Sequence, residues 1–470
     1  MNCKEIQMKK IKIGFLPLYI KLYDDCGFVV RPRTEPFYES LAKEFEAQGF
    51  EVQRAPHCSV KAEFEREIAA FEKGGCDVIV TWHAAYSPSL ESIEALKATR
   101  LPIVVLDTTE TYDFSSLQDP GEMNYCHGIH GVMDMTNMLR RAGKPYAIAA
   151  GHFPTDNVVE RAARYVKAAA GAASLYGTKV GTIGGSFDGM GDFLISDEEL
   201  KDVFGVEAIY SDGEELKKFR LEVTDEEIER EMAYDAENYE AIDEIDEECH
   251  RKTVRNCLAV RRWIKEKGLS AFTVNFREIR PESGLEIMPF MECCKAMARG
   301  IGYAGEGDVL TASVTGALMR GFGDATFCEI FCPDWKGDTL YLSHMGEYNP
   351  KLTDGKGEIK KISFIFGEAD DPIVGYGCYK GGDAIFTNVF KDEDGKYTML
   401  ISPVTMEYNP DDNFVGTVRG WMRPCVSVPE FLERISECGV THHSNLTYGA
   451  TVEEMKFFAK VLGVRAVVVE

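Results

Sequence analysis

Four short segments carry the side chains best suited to chemistry. Residues 302–309 read GYAGEGDV and present Glu306 and Asp308; residues 326–331 read TFCEIF with Glu329; residues 341–347 read YLSHMGE with His344 and Glu347; and residues 441–444 read THHS with His442 and His443. Each sets a carboxylate or an imidazole beside small or apolar neighbours. Two carboxylates and two imidazoles form a mixed oxygen and nitrogen donor set, which suits Mn2+, Co2+, Fe2+ or Zn2+ better than Ca2+. Each residue also has a plainer reading. Glu306 between glycines fits a turn or a helix start, where the helix dipole favours a carboxylate. His344 fits a satisfied core histidine, and His442–His443 fits a cap on the preceding helix. Glu329, flanked by Cys328 and Ile330, is expected to be buried and therefore to need a partner. The segments lie far apart in the chain, so spacing alone does not assemble them.

The elements that must position them follow two patterns. From Lys9 to about Gly185, β-branched runs of buried-strand length (IKIGFLPLY, CDVIVTW, PIVVLDT, PYAIAAG, TKVGTIGG) alternate with amphipathic stretches such as EPFYESLAKEFEAQG, with Pro36 near a helix start and Gly49 after its end. This is the pattern of parallel sheets covered on both faces. Such sheets bind ligands beyond the C-terminal ends of their strands, which makes Trp82–His83, Asp107–Thr109 and Gly151–His152 candidate pocket linings. No GxGxxG or GxxxxGK[ST] phosphate cradle occurs, and GTIGGSFDGMGD reads as a plain loop. A second α/β region follows, within which Thr224–Cys249 reads as one amphipathic helix with a solvated acidic face. After about Gly321 the strands KKISFIF, DAIFTNVF and KYTMLISPV, with a turn at Asp394–Gly395, predict antiparallel sheet and a small barrel. The chain closes with a helix (PEFLERISECG), a loop (VTHHSNLTYGA), a helix capped by Thr451 and Glu454, and a strand, RAVVV. The fold expected is therefore two doubly wound α/β domains, 1–175 and 176–321, followed by a β-rich, barrel-like domain, 322–470.

Composition narrows the function classes. At 470 residues the chain exceeds what one core accommodates, and a net charge of -25 argues against nucleic acid, whose phosphates are held by Lys and Arg patches. Fourteen cysteines without zinc-finger spacing read as buried small hydrophobes. The N-terminal MNCKEIQMKKIKIGFLPLYIK lacks a small-residue cleavage site, and no run approaches the ~20 apolar residues of a membrane span. A soluble protein of a reducing cytoplasm is expected.

GYAGEGDV, TFCE, SHMGE and GVTHHS resemble, in order and spacing, the four metal-site patterns of L-arabinose isomerases, close to GFAGEGDW, TSFMED, SHMLEV and GAHHT. WHAAYSP, IHG and AGHF earlier in the chain, and AFTVNF, are similar to the matching stretches of that family. The resemblance to the L-arabinose/L-fucose isomerase type implies an aldose–ketose isomerase, an intramolecular oxidoreductase. Its divalent metal, Mn2+ first, is then held by Glu306, Glu329, His344 and His443, with Glu306 and Glu329 also the acid/base pair. His442, Met345, Phe276, Tyr86, His130 and Leu18 line the sugar pocket. A trimer-based hexamer, its site completed by a neighbouring subunit, is implied in the same way.

Two departures bear on the sugar. Where those isomerases carry GSQHLYG after the first strand, this chain has GFLPLYIKLYDDCGFVVRPR, and a pocket Gln is replaced near His127. Lys21, Arg31 and Arg33 enter that segment, read as a loop. They fit either surface ion pairs with Asp24, Asp25 or Glu35, or a contact with an anionic sugar through Arg31 and Arg33. A hexose, a 6-deoxyhexose or a 6-sulfonated or phosphorylated hexose such as sulfoquinovose is expected ahead of L-arabinose. The alternatives are an L-arabinose isomerase proper, a metal-dependent epimerase or aldolase on the same scaffold, and a non-catalytic sugar-binding protein.

Overall fold

A computed structural model describes residues 9–409 and 411–470, which divide into two compact units. The opening Met1–Met8, on which part of the leader reading rests, lies outside the described residues. Among those described, no helix is long and apolar enough to cross a membrane.

Residues 9–173, with Lys460–Leu462, form the first unit. Its strands β1 (Lys12–Leu18), β2 (Glu51–Arg54), β3 (Val78–His83), β4 (Ile103–Asp107) and β5 (Tyr146–Ala150) make one parallel sheet in the order β2–β1–β3–β4–β5. Successive side chains of β1 face opposite ways. Phe15 meets Tyr38 and Phe45 of the helix Arg31–Ala47, while Leu16 joins Phe64, Phe71, Ile79 and Met135 on the other face. On that face a Cβ at Gly14 would stand 2.5 Å from the Phe71 ring, so the close helix packing there requires glycine. The helix Arg31–Ala47 starts earlier than expected, with Pro32 in its first turn and Pro36 inside it. First-turn N–H groups have no helical acceptor, so Pro32 costs nothing there. The segment read as a loop also contains a short helix, Lys21–Asp25.

Residues 174–459, with 463–470, form the second unit. Its strands are β6 (Lys179–Ile183), β7 (Glu207–Tyr210), β8 (Tyr239–Ala241), β9 (Ala271–Val274), β10 (Gly302–Gly305), β11 (Ala325–Asp334), β12 (Thr339–Ser343), β13 (Gly357–Lys361), β14 (Ile373–Cys378), β15 (Gly382–Lys391), β16 (Tyr397–Met406), β17 (Val418–Pro424), β18 (His443–Tyr448) and β19 (Arg465–Val468). β7–β6–β9–β10 make a second parallel sheet. The expected barrel is present and closed: β16–β15–β18–β11–β12–β17 run antiparallel, and β17 pairs back onto β16. The Asp394–Gly395 turn joins β15 to β16, with Gly395 at φ 72.

Three expectations for this unit are corrected. Residues 224–249 are not one helix: Asp225–Asn238 is helical, and Tyr239–Ala241 then pairs with β13 before a new helix, Glu247–Lys267. KKISFIF is a strand only to Lys361, after which Ile365 stands exposed. The segment read as the loop VTHHSNLTYGA holds β18, a barrel strand flanked by β15 and β11.

A buried charge network ties the helices of this unit together. Arg261 forks onto Glu231 at 2.7 and 2.8 Å and reaches Glu292 at 2.8 Å. Lys295, 3% exposed, bonds Glu231 at 2.8 Å and Asp235. Burial works to raise the Glu231 carboxyl, yet Lys295 and Arg261 outweigh it and hold it well below the usual range. Removing one partner strands a buried charge. Lys295→Met should therefore lower stability by about 3–5 kcal/mol, read as a shift in the denaturant midpoint; an unchanged midpoint would show that the network carries no net stabilisation.

Candidate functional site

The residues with chemistry in the second unit converge because three strands end or cross at one place. β10 runs into a tight turn at Glu306, one of two non-glycine residues with positive φ among those described (φ 63). The backbone holds this conformation from both sides: Glu306 N–H donates to the Val274 carbonyl at 2.9 Å, and its carbonyl accepts from Phe187 N–H at 2.9 Å. At Gly307, φ 86, a Cβ would lie 2.2 Å from the Gly185 carbonyl, so the loop after β6 packs directly on the turn. Left-handed backbone at a non-glycine residue costs of order 1–3 kcal/mol and persists where its surroundings dictate it. Asp308 then caps the helix Val309–Phe322, accepting from Thr311 N–H at 2.8 Å.

The barrel supplies the rest. Glu329 on β11 stands opposite His443 on β18 and Ser343 on β12, which puts Glu329 and His443 on one face. His344 follows Ser343 directly. Asn388 fixes the start of β18, donating to the His443 carbonyl at 2.6 Å and the Thr441 carbonyl at 2.8 Å. Phe327 lies against both rings, at 4.8 Å from His344 and 5.0 Å from His443.

Each of the three imidazoles has a carboxylate at Nδ1. His443 Nδ1 bonds Asp308 Oδ2 at 3.0 Å, His442 Nδ1 bonds Asp192 Oδ2 at 2.7 Å, and His344 Nδ1 lies 2.5 Å from Glu347 Oε2. Their Nε2 atoms face the two other carboxylates. His443 Nε2 and His442 Nε2 are each 3.5 Å from Glu306 Oε2, and His344 Nε2 is 3.7 Å from Glu329 Oε2. His443 is fully buried, and its Nε2 has no hydrogen-bond partner. Glu306, His442 and His443 form one group able to hold an ion, and Glu329, His344 and His443 another, with His443 common to both.

The electrostatics follow from this crowding. Burial works to raise Glu306, but the imidazoles of His442 and His443 outweigh it and hold the carboxyl down at about 2. Burial raises Glu329, only partly offset by the imidazoles. Burial works to lower His443, yet Asp308 and Glu306 push it up to about 10. His442 is raised as well, with Glu306 and Asp192 prevailing over burial.

The four expected ligand residues and His442 thus come together, and Met345, half-buried, follows His344. Phe276 lies just past β9, its ring 5.5 Å from that of Phe187, whose N–H holds the Glu306 turn. Leu18, Tyr86, His130, Arg31 and Arg33 belong to the first unit. Leu18 is buried at the end of β1, and the Tyr86 ring lies 4.8 Å from His130, which stacks on His127 at 4.9 Å. Arg31 is paired with Asp24 at 2.8 Å, Arg33 with Glu122 at 2.5 Å, and Lys21 with Asp25. Asp192, the last residue of GTIGGSFDGMGD, and Phe193 after it carry no sequence signal for the site, although Phe193 stacks on His443 at 5.1 Å. Asp308 and Glu347 stand out in the sequence only as neighbours of Glu306 and His344, and their contacts at histidine Nδ1 have no signature in spacing.

Sequence models of three domain families match the chain: the L-arabinose isomerase N-terminal domain over residues 42–177, the central domain over 198–321 and the C-terminal domain over 324–465. L-arabinose isomerase 2 of Bacillus licheniformis is 26% identical over 414 residues, covering 83% of this chain and 84% of its own length. L-arabinose isomerases of Anoxybacillus flavithermus and Bacillus subtilis are 25% and 24% identical, each over 84% of this chain and over 80% and 81% of their own. Among solved structures, an ABC transporter solute-binding protein from Burkholderia multivorans is 14% identical over 66% of this chain and 93% of its own, at a TM-score of 0.17, too slight a likeness to carry an argument. With all three domain families matched in order, the chain belongs to the L-arabinose isomerase family, a family of aldose–ketose isomerases.

Proposed function

We propose that Glu306, Glu329, His344 and His443 hold a divalent metal, Mn2+ first, and that the chain interconverts an aldose and its ketose there. The observation that carries this reading is the buried His443. Its Nδ1 is committed to Asp308, and its unpartnered Nε2 faces Glu306. A carboxylate on one imidazole nitrogen fixes the proton there and frees the other nitrogen as a ligand, the usual support of a metal-bound histidine. A mixed carboxylate and imidazole set also suits Mn2+, Co2+, Fe2+ or Zn2+.

Isomerisation moves one proton between C2 and C1 and another between the two oxygens, through an enediol. Glu306 and Glu329 converge from the β10 turn and β11, and in this reading they are the pair that takes and returns the carbon-bound proton. A divalent ion, when bound, supplies positive charge beside the oxygens on which negative charge develops. His442, held by Asp192 and 33% exposed at its side chain, faces the sugar together with Met345 and Phe276. Leu18, Tyr86 and His130 complete the pocket in an assembled homo-oligomer, by resemblance a hexamer, and the chain divides functionally at about residues 175 and 321. The favoured sugar is a hexose or 6-deoxyhexose ahead of L-arabinose. A sulfonated or phosphorylated hexose would have to draw Arg31 or Arg33 out of existing ion pairs.

Glu306→Gln and Glu329→Gln should each remove most of kcat in a folded protein; near-wild-type turnover in either would refute the acid/base pair. With L-arabinose, L-fucose, D-galactose, D-glucose 6-phosphate and 6-sulfoquinovose as a panel, kcat/KM should peak at a sugar other than L-arabinose, and a clear optimum at L-arabinose would reverse the assignment. The pH dependence of metal binding has a definite sign. Asp308 and Glu306 push the His443 imidazole up to about 10, so metal binding through Nε2 must release a proton. Mn2+ affinity should fall as pH drops, about tenfold per unit for each proton released. Calorimetric affinities that do not change between pH 8 and pH 6 would exclude His443 as a ligand. Light scattering with activity assays should find turnover only in the oligomer, and an active monomer would overturn the shared pocket.

A further inference from the structure

β10 carries a second side chain aimed at the site besides the Glu306 turn at its end. Tyr303 and Gly305 are two residues apart on that strand and so share a face. That face meets the segment after β12. The Tyr303 hydroxyl donates to Glu347 Oε1. At Gly305 a Cβ would stand 3.0 Å from His344 Cε1 and 3.1 Å from Glu347 Oε2, so the missing side chain leaves the room into which this histidine and glutamate fit.

The ring of Tyr303 is fully buried, 4.9 Å from Phe272 and 6.3 Å from Phe327. A phenylalanine would fill that space equally well, and Phe is what the family pattern GFAGEGDW places there; only the hydroxyl calls for tyrosine. Glu347 is 2% exposed, and a buried carboxylate without donors is costly. Its two oxygens face different groups: Oε1 accepts from the Tyr303 hydroxyl, and Oε2 lies 2.5 Å from His344 Nδ1, a close contact without hydrogen-bond geometry. The backbone of the same segment is gripped separately, by Cys294 Sγ on the Gly346 carbonyl at 3.0 Å. At Gly346, φ 60, a Cβ would stand 2.1 Å from Val374 Cγ1.

We infer that Tyr303 is a positioning residue for the metal centre: its hydroxyl fixes Glu347, and Glu347 fixes the ring of His344 with Nε2 turned to the ion. The inference rests on the reading of His344 as a ligand. Loss of an outer partner of this kind weakens metal binding by roughly 10–100-fold.

The test is calorimetric titration of metal-stripped protein with Mn2+, comparing wild type with Tyr303→Phe, Glu347→Gln, the double variant and Glu306→Gln, with a thermal melt of each in the metal-free state. Tyr303→Phe should bind Mn2+ about tenfold or more weakly, with a metal-free melt close to wild type, and the double variant should be no weaker than Glu347→Gln alone. Wild-type Mn2+ affinity in Tyr303→Phe, or losses that simply add in the double variant, would overturn the inference, since the hydroxyl would then not act through Glu347. A lowered melt with unchanged affinity would likewise leave Tyr303 a packing residue. If Glu306→Gln binds Mn2+ as wild type does, or wild type does not bind it, the metal reading itself falls. If Glu306→Gln loses binding while Tyr303→Phe does not, only the role of Tyr303 falls.

Discussion

The arrangement turns on a buried imidazole with one nitrogen committed and the other free. His443 is fully enclosed, bonded through Nδ1 to Asp308, with Nε2 directed at Glu306. A polar atom in such a place is costly unless something pairs with it. Asp308 is itself fixed as the cap of the helix Val309–Phe322, so a helix terminus, a carboxylate and a ring are locked in series. His442 repeats the device with Asp192, and His344 Nδ1 lies in close contact with Glu347 without hydrogen-bond geometry; the three outer nitrogens face Glu306 and Glu329.

The two sheets of the second unit exist, for this purpose, to bring that series together. The parallel sheet ends at the Glu306 turn, whose left-handed backbone is held by Val274 and by Phe187 of the next loop. Pairing of β11 with β18 sets Glu329 opposite His443, and β12 sets Ser343 on its other side. A register slip of one residue would turn His443 to the opposite face. Asn388, with bonds to both Thr441 and His443, pins the start of β18 against such a slip.

Much of this was legible in the residues. The β-branched runs of the parallel strands, the hairpin turn at Asp394–Gly395 and the capping pair Thr451 and Glu454 appear where local chemistry requires them. The four motif segments hold the side chains that the second unit brings together. What escaped is what tertiary pairing decides. THHSNLTY has no apolar alternation because, as a strand of a closed barrel, it buries polar side chains, some of them met from other elements; Asn445, for example, accepts from Thr315 at 2.6 Å. The helical spacing of residues 224–249 continues past Asn238, yet the backbone of Tyr239–Ala241 is taken by β13. Arg31 finds the nearby Asp24, as an ion-pair reading allows, whereas Arg33 reaches Glu122, a partner that only the fold can bring near. Asp192 sits among glycines, and its role emerges only once the loop after β6 meets His442.

The central claim is that one ion is held between the Nε2 atoms of His344 and His443 and the carboxylates of Glu306 and Glu329. Anomalous diffraction from Mn2+-loaded crystals tests it most directly. The account predicts a single strong peak within coordination distance of those four side chains, with Asp308 and Glu347 still on the Nδ1 atoms of their histidines. A peak elsewhere, or one that draws its nitrogen ligands from Nδ1, would contradict it.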